Sequence, residues 1–163
     1  MRVPCSVGSR KSRVSSPDRA NPARERPADA ATLTVMRRHC HSASPYEKSI
    51  CFSRAVRTGD RIEVSGTAPI GPDGATVVGG AFEQAQRCFS IIRAALEELG
   101  GSMSDVVRTR MYLVDAADWE VVGRAHGEAF VGVDPAATMV VAGGLLDDEW
   151  RVEIEASAVV DPS

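Results

Sequence analysis

Aromatic side chains are scarce in this chain: Phe, Trp and Tyr make up 5% of its 163 residues. That scarcity argues against an aromatic stacking surface for nucleic acid. Long apolar runs are missing too. No stretch has the apolar core of a secretory signal, and none approaches the roughly 20 residues of a membrane span. A cytoplasmic location, reduced thiols and no membrane partner are therefore expected. The chain contains no GxGxxG, GxxxxGK[ST], GxSxG or HExxH. Its Gly71–Gly80 segment lacks the lysine of a phosphate loop. No cofactor is expected. The four cysteines, Cys5, Cys40, Cys51 and Cys88, form no CxxC pair. The run His39-Cys40-His41 has no second ligand pair at metal spacing, so no metal is expected and both histidines read as solvated.

What is present is globular. Hydrophobic residues are 44% and charged residues 25%, over a length that suits one domain. The net charge of −3 averages two unlike segments. Residues 1–40 hold nine Lys or Arg against three Asp or Glu, a balance of +6. Residues 41–163 hold ten against nineteen, a balance of −9. An acidic domain repels phosphate backbones, so nucleic acid is not its expected partner. Residues 1–35 carry Pro4, Pro17, Pro22 and Pro27 among Ser, Arg and Ala, with no apolar periodicity. Residues 1–40 therefore read as a disordered basic tail, or as an over-extended start with the true beginning at Met36. A transit peptide fits the basic composition, but the prolines oppose the amphipathic helix it needs. The domain is assigned to residues 41–163.

From residue 50 onward the pattern is regular. Phe52–Val56 and Arg61–Thr67 read as strands around the turn Thr58-Gly59-Asp60. Gly71-Pro72-Asp73-Gly74 is a turn, and Ala75–Val78 is a further short strand. Phe82, Ala85, Phe89, Ile92, Leu96 and Leu99 are spaced 3, 4, 3, 4, 3, one stripe of a helix that Gly100-Gly101 stops. Cys88 adjoins that stripe as a small packing residue. Asp105–Asp115 reads as a strand, with Asp115 capping a second helix from Ala116 to about Val131. Trp119, Val122, His126 and Ala129/Phe130 form that helix's inner stripe, and Glu120 and Arg124 an outward pair. His126 reads as a core histidine, because no carboxylate or nucleophile stands at helical spacing to it. Thr138–Ala142 and Arg151–Val160 are the last strands, on either side of an acidic loop, Gly143–Glu149. The order β-β-β-α-β-α-β-β predicts a mixed sheet with two helices on one face. Its other face carries Val106, Tyr112 and Val114 beside Arg108 and Arg110, half-apolar enough to suggest burial against other subunits. Glu153 and Glu155 share that face. Either such a carboxylate is a general base with its pKa raised by partial burial, or these are solvated strand charges.

Five segments, taken together and in order, resemble the Rid family, also called YjgF or endoribonuclease L-PSP. They are Phe52–Asp60 (FSRAVRTGD), Val64–Thr67 (VSGT), Asp105–Leu113 (DVVRTRMYL), Asp134–Thr138 (DPAAT) and Val152–Ala156 (VEIEA). The resemblance implies a chorismate-mutase-like α/β fold assembled as a homotrimer, with ligand clefts between subunits. The family's best-known branch hydrolyses enamines and imines, releasing ammonia and a 2-keto acid. It implies an arginine in P-A-R-[ST] that grips the substrate carboxylate. It implies a tyrosine before S-x-A-V, and a glutamate, the second of V-E-I-E-A, that positions water. Here the glutamate is Glu155, the tyrosine position is Phe52 and the arginine position is Ala137. Losing a buried guanidinium–carboxylate contact costs about 2–5 kcal/mol. A carboxylate-bearing imine is thus expected to bind poorly unless Arg108, Arg110 or Arg151 substitutes. The expected function is a divergent enamine/imine deaminase acting on an unidentified small molecule, with Glu155 catalytic. Phe52, Ser65, Gly66, Ala137, Thr138, Ala142 and Gly143 are expected to line the cleft. The alternative is a non-catalytic ligand-binding or interaction trimer. RNA cleavage, suggested by the family's older name, is opposed by the acidic balance and the lack of a catalytic histidine pair.

Overall fold

The computed structural model describes residues 36–161 apart from residues 43 and 45. The tail reading for residues 1–35, with Cys5, lies outside the described residues. In chain order the elements are β1 (Arg37–Cys40), α1 (Tyr46–Ile50), β2 (Ala55–Thr58), β3 (Arg61–Thr67), α2 (Ala81–Glu98), β4 (Val106–Leu113), α3 (Trp119–Ala129), β5 (Ala136–Val141) and β6 (Val152–Val159). The six strands form one sheet in the order β1-β2-β3-β6-β4-β5, with β4–β5 parallel and the other pairs antiparallel. The helices α2 and α3 cover one face, as the apolar stripes predict.

The core is the layer between that face and the helices. Ile62, Val64, Met111, Leu113, Val152 and Ile154 meet Phe89, Ile92, Leu96, Val122 and Ala125, all buried. Each large side chain sequestered there contributes about 1.5–3 kcal/mol relative to exposure. Gly100 ends α2 at φ +77°, and the Gly101 amide returns to the Leu96 carbonyl at 2.8 Å. A side chain would strain that left-handed residue, which is why the Gly-Gly pair stops the helix. Two arginines from the neighbouring strands complete the cap. Arg57 Nη1 donates to Leu99 O at 2.8 Å, and Arg38 Nη2 donates to Glu98 O at 3.2 Å.

The structure corrects five readings. The sheet begins at Arg37, inside the segment that composition assigned to the tail: Arg37–Cys40 pair with Thr58–Ala55. Ala75–Val78 is not a strand, since only Thr76 bridges, to Ile70, after the expected 71–74 turn. Trp119 is 60% exposed, because a 3₁₀ turn at Ala116–Asp118 precedes α3 and rotates its start away from the core. Arg124 does not pair with Glu120 but lies over the Phe82 ring, 4.2 Å from its centre. Val106 belongs to the core, not the open face, because a bulge at Val107 shifts the alternation.

Candidate functional site

The open face of the sheet carries the residues with chemistry. On β6, Glu153 and Glu155 alternate with buried Ile154 and Ala156 and so point away from the helices. Across the ladder, Glu155 stands opposite Arg110 and Glu153 opposite Tyr112. Arg110 Nη1 donates to Glu155 Oε1 at 2.5 Å, a charge-assisted bond that fixes the carboxylate. The other Glu155 oxygen has no protein hydrogen bond among the described residues. One strand further out, Arg108 Nη2 donates to Thr138 Oγ1 at 3.1 Å. Of the three arginines that might replace the missing one, Arg110 is held by Glu155 and Arg151 by Asp118 at 2.8 Å. Arg108 pairs with no carboxylate among the described residues, and its Nε is buried without a partner.

A second bulge shapes the other side of the site. Val64 pairs with Ala156 but Thr67 with Ile154, so β3 carries one extra residue at Ser65–Gly66. Ser65 and Gly66 both leave the core while Thr67 returns to it, fully buried. Ser65 Oγ donates to Ser53 O at 2.8 Å, tying the bulge to the segment before β2. Gly66 faces Glu153: a Cβ there would lie 2.0 Å from Glu153 Oε1. Beneath the bulge runs Arg54, 9% exposed, donating to Thr67 Oγ1 and Gly66 O at 2.8 Å each. Burial pulls the Arg54 guanidinium down, against the raising effect of Glu47 and Glu153. Burial raises the Glu153 carboxyl; Arg54 opposes that rise and Glu155 adds to it.

Phe52 lies elsewhere. With His39, His41, Glu47, Cys51 and Ser53 it lines a hollow of about 890 Å³ beside β1 and β2. The histidines there are not merely solvated: His39 Nδ1 meets Ser53 Oγ at 2.9 Å and His41 Nδ1 meets Glu47 Oε2 at 3.0 Å. Burial alone would raise the Glu47 carboxyl, but hydrogen bonds from Ser42 and His41 outweigh it and hold it low. His126 meets the core reading only in part: it is half-buried, with Nε2 2.9 Å from Thr109 Oγ1 and its ring against Phe130 and Phe89. Ala137 sits on the edge strand β5 opposite Thr109, and the Ala142 amide donates to Leu113 O at 2.8 Å, just before Gly143. Buried Gln84 holds the end of the acidic loop, donating to Glu149 O and accepting from the Arg151 amide.

One chain does not bring all these residues together. Phe52 leads into β2 and Ala137 lies in β5, four strand steps away across the sheet order. At about 4.8 Å per step the two are separated by roughly 19 Å, with Glu155 between them. Sequence reasoning placed Glu153, Glu155 and Arg110 on this face, but it missed Arg54. The pattern gives no hint that a guanidinium there is buried, since the bulge that shelters it interrupts the alternation.

Residues 43–160 match the family described as Endoribonuclease L-PSP. An uncharacterized protein of Streptomyces coelicolor is 38% identical over 121 residues, 74% of this chain and 90% of that protein. A RutC family protein of Pyrococcus abyssi is 37% identical over 66% of this chain and 84% of its own length. Among solved structures, Rv2704 of Mycobacterium tuberculosis, described as a member of the YjgF/YER057c/UK114 family, superposes with a TM-score of 0.70. It is 35% identical, over 77% of this chain and 100% of its own. The sheet order, the intact Val-Glu-Ile-Glu-Ala segment and these relatives agree, and the chain is a member of the Rid (YjgF, endoribonuclease L-PSP) family.

Proposed function

We propose that the protein is a Rid-type hydrolase that converts an imine or enamine to a carbonyl compound and ammonia, in a cleft between the subunits of a homotrimer. The observation that carries this reading is Glu155, kept on the open sheet face with one oxygen held by Arg110 and the other without a partner among the described residues. A carboxylate fixed in that way can orient a water for attack on a C=N carbon. The spread of the family's positions supports the oligomer. Phe52 and Ala137 stand about 19 Å apart in one chain, so a pocket using both needs a second copy. The exposed Val107, Val114 and Val140 are candidates for burial by that copy. With Ala137 in the arginine position, the substrate need not carry a carboxylate. Chemistry of this kind asks for no cofactor or metal, and no nucleic acid partner is proposed.

A second reading, a trimer that binds a small molecule without turning it over, draws on the loss of the tyrosine hydroxyl at Phe52 and of the arginine at Ala137. Sedimentation of the purified protein, with ammonia release from a neutral ketimine and from an amino-acid-derived imine, separates the two. The hydrolase reading expects a trimer that accelerates hydrolysis of the neutral imine. A trimer that binds the imine without accelerating its hydrolysis favours the second, and a monomer contradicts both.

A further inference from the structure

We infer that the hollow beside β1 and β2 is a thiol-modification site, in which Cys51 exchanges with small anionic disulfides and His41 takes its proton. This goes beyond the hydrolase reading and does not rest on it. Cys40, Cys51 and Cys88 are all free thiols, and they differ in access. Cys40 is 3% exposed and donates to Glu98 Oε2 at 3.2 Å; burial first, then that bond, push its pKa up to about 11. Cys88 is fully buried, and burial raises its thiol too. Thiols buried in this way are inert. Cys51 is exposed and lines the hollow of about 890 Å³. Its Sγ makes only a weak contact, 3.8 Å from Lys48 O. Cys51 also ends α1 at φ +61°, the left-handed position where glycine is usual, and the Phe52 amide returns to Glu47 O at 3.1 Å. The turn needs no side chain there, and this one packs into no core.

The base is built by a buried acid. Glu47, 5% exposed, accepts from the Ser42 amide at 2.9 Å and from Ser42 Oγ at 2.6 Å, and it meets His41 Nδ1 at 3.0 Å. Despite its burial, those bonds hold the carboxyl low, so it is ionised. A carboxylate only accepts, so Nδ1 carries the ring hydrogen and Nε2 the lone pair. Nε2 has no hydrogen-bond partner among the described residues. The His41 side chain is 63% exposed and lines the same hollow as Cys51. A histidine oriented by a fixed carboxylate, with a thiol in reach of the same cavity, is the arrangement that activates a nucleophile. His39, anchored at Ser53 Oγ, and Lys48 line the hollow as well, while Glu47 is engaged by Ser42 and His41. Exposed thiols among such cation-forming groups are the ones that react. The same groups favour a disulfide that carries an anionic group.

The exchange balances with the disulfide as its only oxidant. His41 Nε2 takes the Cys51 proton, and the thiolate attacks one sulfur of the disulfide. A new S–S bond forms to Cys51, and the old one breaks. Its electron pair leaves with the second sulfur, which takes the proton back from the His41 ring. One disulfide is consumed, one thiol is released, and the hollow that Phe52 lines holds the adduct.

The test uses the full chain with Cys5→Ser, so that Cys5 adds no signal. It is mixed at pH 7 with dithiobis(nitrobenzoate), an anionic aromatic disulfide whose released thiol absorbs visible light. Mass spectrometry of tryptic peptides locates the adduct. A synthetic peptide of residues 46–54 supplies the same thiol without the hollow. The folded protein is expected to react at Cys51 at least about 10-fold faster than the peptide. His41→Gln, with circular dichroism confirming its fold, is expected to lose about 10-fold in rate. Cys51→Ser is expected to release no thiol while folded. An adduct on Cys40 or Cys88 in place of Cys51, a folded protein no faster than the peptide, or a folded His41→Gln variant that keeps the full rate would each overturn the inference. If His41→Gln does not fold, the adduct's position and the peptide comparison decide it.

Discussion

Replacing Arg54 with alanine strikes a buried cation that supports the site. Its guanidinium donates at 2.8 Å to Thr67 Oγ1 and to Gly66 O, both beneath the bulge. Losing a hydrogen bond from a charged donor costs about 1.5–3 kcal/mol, because a buried acceptor is left behind. Against that, the variant no longer desolvates a charge, nor the Nε that has no partner. That relief offsets about 1–3 kcal/mol. The net expectation for Arg54→Ala is a loss of about 3 kcal/mol. Arg54→Met keeps most of the apolar stem and should lose about half as much. Urea unfolding at one fixed protomer concentration measures both, since assembly adds to apparent stability. For a domain of this size the alanine variant should melt about 10 °C lower. A second readout follows from charge. Arg54 holds the Glu153 carboxyl down, so its removal should raise the Glu153 pKa further, visible by carboxyl NMR titration. If Arg54→Ala lies within about 0.5 kcal/mol of wild type, as ordinary surface substitutions do, the guanidinium does not hold the bulge and the reasoning fails.

Other substitutions test separate parts of the account. Ala137→Arg restores the family's arginine on β5; it should improve KM for an amino-acid-derived imine by at least 10-fold over wild type, measured by ammonia release. An unchanged KM would mean that the pocket itself differs. Burial lowers the His126 pKa below its usual 6.5, so folding disfavours the protonated ring. Its contribution is complete above about pH 6.5 and is lost as pH falls below it. His126→Gln, which cannot titrate, should show a shallower loss of stability between pH 7 and pH 5 in urea titrations. Arg57→Ala removes donors to Leu99 O and Gly100 O at the end of α2, and should cost about 1 kcal/mol by the same method.

Much of the fold was legible because its main signals are periodic. The α2 stripe, the Gly100-Gly101 stop, the Thr58-Gly59-Asp60 hairpin turn and the alternation of Val152–Ala158 all stand where simple spacing puts them. The misreadings share a cause, which is that strand parity is assumed and bulges break it. One extra residue at Val107 sends Val106 to the core, and one at Ser65–Gly66 shelters Arg54 and returns Thr67 to the interior. Nothing local in Val-Val-Arg or Val-Ser-Gly-Thr announces such an insertion. β1 was hidden for a different reason. Arg37–Cys40 carry no alternation of their own, and their pairing depends on β2 and on Arg38 reaching the end of α2. Within the site, the positions of Glu155, Phe52 and Ala137 were legible through motif resemblance. The Arg110–Glu155 bond and the space that Gly66 leaves for Glu153 were not, since both depend on cross-strand register.

The central claim is that Glu155 on the open sheet face serves water-dependent cleavage of a C=N bond. The most direct measurement is the rate of ammonia release from a neutral ketimine by wild-type protein and by Glu155→Ala, each checked for fold and assembly. The account predicts wild-type turnover above the uncatalysed rate and a loss of about 100-fold or more in the variant. Equal rates in the two proteins would contradict it.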